Sequence, residues 1–282
     1  MSISANPKNI RALVFDLDGT ILAPGAVLTE RTKKAIGACR ERGLHIIIAT
    51  GRAIDSAEFF RSSLGAEGPM IYFNGAFVLD MPSGEIISSA LLDCKAAEFC
   101  LELAKKKGLY FQVYIPAGGN ASRIVCLTDE DRSEREDYFK HTGVLAELGD
   151  VKEALSRPGV PGCAKGMFLA EPEIHSSIRP ELEKRLGESA YIVQTYRTYL
   201  EILNKKASKG QALDFSMKHR GLKREEVIAF GDEENDLPML KAAGFSVAPA
   251  NAKENIKSAA DLVVGSNAED GVAVFLEDFF NL

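Results

Sequence analysis

The stretch Ala12-Leu-Val-Phe-Asp16-Leu-Asp18-Gly19-Thr20 decides the fold. Its first four residues are continuously apolar, as in a parallel strand covered on both faces, and the run stops at two carboxylates, a glycine and a hydroxyl. Asp16 is expected where this strand leaves its sheet, and open parallel sheets bind ligands at the carboxyl ends of their strands. Aspartates at i and i+2 point to the same side of an extended segment, while Gly19 permits a turn that a residue with a Cβ would resist. Such a pair suits a metal and a reacting group together. Taken alone, the same residues are also compatible with a strand closed by an Asx turn.

Two further apolar runs end in the same way. Residues 44–49 stop at Thr50-Gly51-Arg52, and residues 70–73 stop at Asn74-Gly75. Helices are expected between these strands over about 29–43, with Thr29 as N-cap, and over about 53–64. Three successive units of strand and polar tip predict an α/β protein with a doubly wound parallel sheet and helices on both faces. The alternation then breaks: a hairpin over 76–90 turns at Pro82-Ser83-Gly84, and a helix over 93–107 follows. From there to about residue 199 the pattern predicts an α+β insert. Its strands are expected near 109–115, 124–127, 166–169, 191–195 and 199–203, and its helices near 132–141 and 171–186. Alternation resumes with a helix over 208–220 and a strand over 227–230, whose tip is Gly231-Asp232-Glu233-Glu234-Asn235-Asp236. Helices near 237–242, 253–260 and 271–280 and strands at 245–248 and 262–264 complete the pattern.

Composition narrows the function. The 282 residues have length for about two domains. A net charge of -6 argues against sequence-independent nucleic-acid binding, which needs a basic face. An anionic substrate would therefore need local positive charge or a metal. The five cysteines are scattered without a Cys-x-x-Cys pair, as in a reduced cytoplasmic chain, and no signal peptide or membrane-length apolar run is evident.

Four polar clusters fall at or beside strand tips: Asp16/Asp18, Thr50-Gly51, Lys209, and Asp232/Asn235/Asp236. In one parallel sheet those tips share an edge, and Ser208-Lys209-Gly210 opens a helix whose N-terminus favours an anion there. Three carboxylates near one point repel unless a cation neutralises them, and oxygen ligands without His or Cys select Mg²⁺ over zinc. Alone, Lys209 would be an ordinary solvated lysine, and Asp236 a cap for the next helix. The four histidines follow no ligand spacing.

The motifs Asp16-Leu-Asp18-Gly-Thr20, Thr50-Gly-Arg52, Asn74-Gly75, Ser208-Lys209-Gly210 and Gly231-Asp232-x-x-Asn235-Asp236 occur in order, with a domain-sized interval before the fourth. With them stand Asn251-Ala and Asn267-x-Glu269-Asp270-Gly271-Val272-Ala273. Over essentially its whole length the chain resembles the haloacid dehalogenase superfamily phosphatases, most of all the Cof-type (subfamily IIB) sugar-phosphate phosphatases. The resemblance implies a Rossmann-like core in two parts, 1–82 and 199–282, and an inserted α/β cap over 83–198.

It also implies roles. Asp16 would be the nucleophile, giving an aspartyl-phosphate. Asp18 would protonate the leaving alcohol and then accept a proton from water, for which its pKa must rise above the usual value near 3.9. Mg²⁺ would be held by Asp16, the Asp18 backbone carbonyl and Asp232, with Asp236 behind them. Thr50, Gly51, Lys209 and Asn235 would bind the phosphate oxygens. The insert would act as a lid, with Tyr114, Lys165, Thr195, Tyr196 and Arg197 as candidates for substrate contact. The expected partner is a small phosphorylated metabolite, with no nucleic acid or membrane, in a monomer or small homo-oligomer. A phosphomannomutase-like phosphomutase and a non-catalytic metabolite-binding protein are the alternatives.

Overall fold

A computed structural model describes residues 6–116 and 124–282. The chain begins with β1 (Ala12–Phe15), α1 (Glu30–Glu41), β2 (His45–Ile48), α2 (Ile54–Leu64), β3 (Gly68–Tyr72), β4 (Phe77–Met81) and β5 (Glu85–Ser89). It continues through α3 (Cys94–Lys107), β6 (Tyr110–Pro116), β7 (Ile124–Thr128), α4 (Ser133–Thr142), β8 (Glu147–Leu148), α5 (Val151–Ser156), β9 (Lys165–Leu169), α6 (Pro172–Leu186), β10 (Ala190–Tyr196) and β11 (Tyr199–Asn204). It closes with α7 (Lys209–Arg220), β12 (Val227–Phe230), α8 (Leu237–Ala242), β13 (Phe245–Pro249), α9 (Glu254–Lys257), β14 (Leu262–Val264) and α10 (Gly271–Phe280). Two compact units result: Met1–Ser88 with Ser208–Leu282, and Ser89–Ala207.

In the first unit a parallel sheet runs in the order β14-β13-β12-β1-β2. Every residue of β1 and β12 is fully buried, which explains why both read as unbroken apolar runs. Alternate residues face opposite ways. Val14 and Ala229 pack with Leu213 and Met217 of α7 and Leu240 of α8. On the other face Phe15 stacks on Phe230 at 4.7 Å, and Phe230 meets Phe275 of α10 edge-on at 5.8 Å. Helices therefore cover both faces. The chain leaves β1 toward β2 and leaves β12 in the opposite direction toward β13 and β14, so the β1/β12 boundary is the switch point where such sheets open a crevice.

β3 departs from the expected third parallel strand. It touches the parallel sheet through one bridge, Ala49 to Ile71, and otherwise pairs antiparallel with β4 in a three-stranded β3-β4-β5 sheet. The second unit has a six-stranded sheet ordered β10-β11-β9-β6-β7-β8, antiparallel except at β7/β8. Leu101 of α3, Leu155 of α5, and Ile178 and Leu182 of α6 share one core with Phe111, Phe168 and Leu200 of this sheet.

The units divide at 88/89 and 207/208, whereas the sequence placed the insert at 83–198. β11, expected among the insert's strands although the boundary was drawn at 198, pairs on both sides inside the second sheet, with β10 and β9. Residues 143–164, for which the pattern predicted nothing, contain β8 and the six-residue α5, capped by Asp150 accepting from the Glu153 N–H at 2.8 Å. α9 stops at Lys257 rather than near 260, because the Ala259 and Ala260 N–H groups both turn back to the Ile256 carbonyl. Among the described residues no helix is long and apolar enough to cross a membrane.

Candidate active site

The site lies at the carboxyl ends of β1 and β12, within the first unit. Asp16 follows β1 directly and is buried, with its N–H donating to the Phe230 carbonyl at 3.0 Å. The chain then turns at once: the N–H groups of Thr20, Ile21 and Leu22 all point back to the Leu17 carbonyl. This overturns the expectation that Asp16 and Asp18 share one side of an extended segment. Asp16 is interior, whereas the Asp18 side chain is 53% exposed. Gly19 (φ +78°) makes the turn possible, and a Cβ there would stand 2.2 Å from Asp232 Oδ2. The turn is tied down from the tail of the chain. Asn251 Nδ2 donates to the Gly19 carbonyl at 2.8 Å and Asn267 Nδ2 to the Leu22 carbonyl at 2.7 Å, while the Asn267 N–H donates to Asn251 Oδ1 at 2.9 Å.

Lys209 is the first residue of α7 and is completely buried. The Ser208 hydroxyl caps that helix by accepting from the Gln211 N–H, which fixes where the lysine leaves the backbone. Its ammonium donates to Asp16 Oδ1 at 2.5 Å and to Asp236 Oδ1 at 2.6 Å. Asp236 Oδ2 accepts from the N–H groups of Asp232 and Glu233, each at 3.0 Å. Asp236 therefore shapes the loop after β12 and steers Lys209. It makes no side-chain cap bond to the helix that follows, the role its sequence position suggested; its hydrogen bonds go to the loop before it and to Lys209. Asp232 Oδ1 accepts from the Thr20 hydroxyl at 3.0 Å.

On the β2 side, Thr50 is buried. Its N–H donates to the Ile71 carbonyl, its carbonyl accepts from the Asn74 N–H, and its hydroxyl oxygen accepts from the Arg52 N–H at 3.1 Å, leaving the hydroxyl proton to be donated elsewhere. Asn74, in the left-handed region at φ 56°, accepts from Asn235 Nδ2 at 2.8 Å through its side-chain oxygen. A Cβ at Gly51 would lie 3.0 Å from that oxygen. Asn74, Thr20 and Asn251 stood inside quoted motifs without a role. Their partners are 161, 212 and 232 residues away, a distance no local pattern reports. Arg52, quoted in the Thr50-Gly-Arg52 motif without a role, grips both carboxylate oxygens of Asp18 at 2.7 Å.

Asp16, Asp232 and Asp236 each bring a carboxylate oxygen within 4.8 Å of the other two. Three buried carboxyl groups face one buried ammonium, a formal excess of two negative charges once all three are ionised. Burial pushes the Asp16 carboxyl up to about 7 against the pull of Lys209, with repulsion from Asp236 and Asp18 adding to it. Burial, then repulsion from Asp16 and Asp236, pushes Asp232 up to about 9. For Lys209 burial works downward, but the charges of Asp16 and Asp236 overcome it and its pKa rises. Burial is the largest cause for both carboxyls, and the excess of carboxylate over ammonium in the cluster adds to the rise of all three groups. Asp16 Oδ2 and Asp232 Oδ2 carry no hydrogen bond among the described residues, so hard oxygen donors, spare lone pairs and a charge deficit of two fit a divalent cation.

This constellation on this sheet has a known family. The profile of the haloacid dehalogenase-like hydrolases spans residues 13–276. The chain belongs to that family. It is 30% identical over 282 residues to the phosphatase YwpJ of Bacillus subtilis, covering 94% of this chain and 98% of the relative. With pyridoxal phosphate phosphatase YbhA of Escherichia coli it shares 26% identity over 278 residues, 94% of this chain and 97% of the relative. It superposes on the crystal structure of Thermotoga maritima TM0651 with a TM-score of 0.80 at 30% identity, over 95% and 97% of the two chains. The family, the Cof-type character of its members and the phosphatase relatives make this chain a phosphoric monoester hydrolase acting on a small phosphorylated substrate.

In the second unit, two residues expected to face substrate are interior. The Lys165 ammonium bonds Glu201 Oε1 at 2.5 Å, and the Tyr114 and Tyr138 hydroxyls are hydrogen-bonded to each other, also at 2.5 Å. Arg197 is exposed and pairs with Glu171, while the ring of exposed Tyr196 lies 4.4 Å from that of His141. Thr195 is half-buried.

Proposed function

We propose that this hydrolase is a Mg²⁺-dependent phosphatase of small phosphorylated metabolites, sugar phosphates in particular, that works through an aspartyl-phosphate on Asp16. The observation that carries the proposal is the buried cluster of Asp16, Asp232, Asp236 and Lys209 at the sheet switch point, three carboxyl groups against one ammonium. The pyridoxal phosphate named for one relative is itself a small phosphomonoester, which supports the substrate class.

An Asp16 carboxylate oxygen attacks phosphorus as the bond from phosphorus to the alcohol oxygen breaks, and Asp18 delivers a proton to that departing oxygen. Water then attacks phosphorus and gives a proton to Asp18. The bond between Asp16 and phosphorus breaks, and inorganic phosphate leaves. Lys209, the Thr50 hydroxyl, the Gly51 N–H and the Asn235 amide hold the transferring oxygens. Asp236 keeps Lys209 in place and charged. Asp16, the Asp18 carbonyl and Asp232 would hold Mg²⁺, which when bound would supply the positive charge that lets a carboxylate approach a phosphate dianion.

Phosphate release from an aryl phosphate and a sugar-phosphate panel, with Mg²⁺ or EDTA, tests the proposal. Turnover by wild type only with metal, and none by Asp16→Asn, is the expected result. Undiminished turnover in EDTA overturns the metal assignment, and an active Asp16→Asn overturns the covalent route.

A further inference from the structure

Asp18 does the proton transfers in the proposed chemistry, yet it stands outside the buried cluster. Its carboxylate is half in solvent, and its recorded side-chain partner is Arg52. The guanidinium approaches as a fork, with Nε on Oδ2 and Nη2 on Oδ1, each at 2.7 Å. Such a two-point contact fixes the plane of the carboxylate as well as its position, which a single point charge does not do. Arg52 is itself held from several directions. Its N–H donates to the Thr50 hydroxyl, its Nη1 donates to the Ser56 carbonyl at 3.3 Å, and the guanidinium lies 5.0 Å from the centre of the Phe60 ring. The arginine, at 17% side-chain exposure, is thus seated against α2, while the aspartate it grips is far more open to water.

We infer that Arg52 is a positioning residue for Asp18: its fork stops rotation of an otherwise solvent-exposed carboxylate and presents it to the oxygen bonded to phosphorus. This rests on the proposed role of Asp18. Among the described residues the fork is the only hydrogen-bond restraint on the Asp18 side chain, and a proton donor misplaced by about 1 Å can cost roughly 100-fold. The backbone bond from Arg52 to the Thr50 hydroxyl links this arm to the phosphate-binding side of the site, so the two arrive together on the β2 tip.

The prediction concerns the leaving group. An alkoxide needs a proton to depart, whereas p-nitrophenolate does not. Arg52→Ala is therefore expected to lower kcat/KM about 10- to 100-fold on glycerol phosphate or a hexose phosphate, and by less than about threefold on p-nitrophenyl phosphate. Arg52→Lys, which keeps the charge and loses the fork, should show the same selectivity at a smaller size. In an Asp18→Asn background, Arg52→Ala should add little to the alkyl-phosphate defect, because the two act as one unit. A loss equal across leaving groups, an undiminished alkyl-phosphate rate, or additive defects would each overturn the assignment. Thermal melts of each variant separate unfolding from misplacement, and Arg52→Lys carries the test if Arg52→Ala melts early. A wild type that releases phosphate from none of these substrates overturns the phosphatase chemistry itself. An active wild type with a non-selective Arg52 defect overturns only the role of Arg52.

Discussion

Each unit buries a lysine against carboxylate. In the second, the Lys165 ammonium meets the Glu201 carboxylate at 2.5 Å, both side chains buried. In the first, Lys209 meets Asp16 and Asp236 at 2.5 and 2.6 Å with Asp232 beside them. Among the described residues, the only group of three or more possible metal ligands is this second cluster. A matched pair stabilises nothing beyond its own burial and calls for no visitor. An unmatched cluster costs free energy as it stands and is relieved by a cation, so imbalance, more than burial, marks the site.

The largest effect that could break this comparison is on turnover. Asp16→Asn should reduce phosphate release by at least about 1,000-fold, while Lys165→Met should leave kcat/KM on p-nitrophenyl phosphate within about threefold wherever the protein is folded. Comparable losses from both would mean that the matched pair also serves the chemistry.

Stability should show the reverse. Removing one partner of a buried pair strands the other, so Lys165→Met is expected to cost about 3–5 kcal/mol in urea unfolding, with most of it recovered in Lys165→Met/Glu201→Leu. A double variant as unstable as the single one would refute that account. Asp232→Asn should instead raise the melting temperature of the metal-free protein, since it removes repulsion.

The pH dependence sharpens the contrast. Asp16 and Asp232 are raised from 3.8 to about 7 and about 9, so the folded metal-free protein binds protons more tightly than the unfolded chain. Their contribution is most favourable below about pH 4 and is lost as pH climbs through 7 and 9. Melts of metal-free protein should therefore drop over that window, Mg²⁺ should restore more at pH 8 than at pH 6, and Asp232→Asn should flatten the slope. A metal effect independent of pH would contradict the charge deficit.

The smallest effect belongs to His175 in the second unit, a buried ring neither of whose nitrogens has a hydrogen-bond partner among the described residues. Burial, with Arg179 nearby, lowers its pKa below 6.5. The folded state resists protonating it, so stability should fall as pH drops below about 6.5, and His175→Leu should remove that part of the slope. An unchanged slope in His175→Leu would assign the acid sensitivity elsewhere.

The sequence by itself determined the parallel strands, their polar tips and the order in which they recur. A strand buried on both faces must be apolar throughout, and an unpaired carboxylate at its end is conspicuous against that background. It also brought Asp16, Lys209, Asp232 and Asp236 under one hypothesis, because tips of parallel strands share an edge. Only the tertiary structure decided what depends on distance between remote residues. It separated Asp16 from Asp18 by a turn at Leu17, gave Asp18 to Arg52 and used Asp236 to steer Lys209. It also paired Lys165 with Glu201 in the interior of a sheet, where its position near a strand end had suggested a surface. It also set the end of the second unit at Ala207 instead of 198, because β11 is held on its far edge by antiparallel pairing with β9, a relation between strands that no single strand's pattern contains. Periodicity reports which face of an element is buried. Which charge meets which is set by the fold that brings them together.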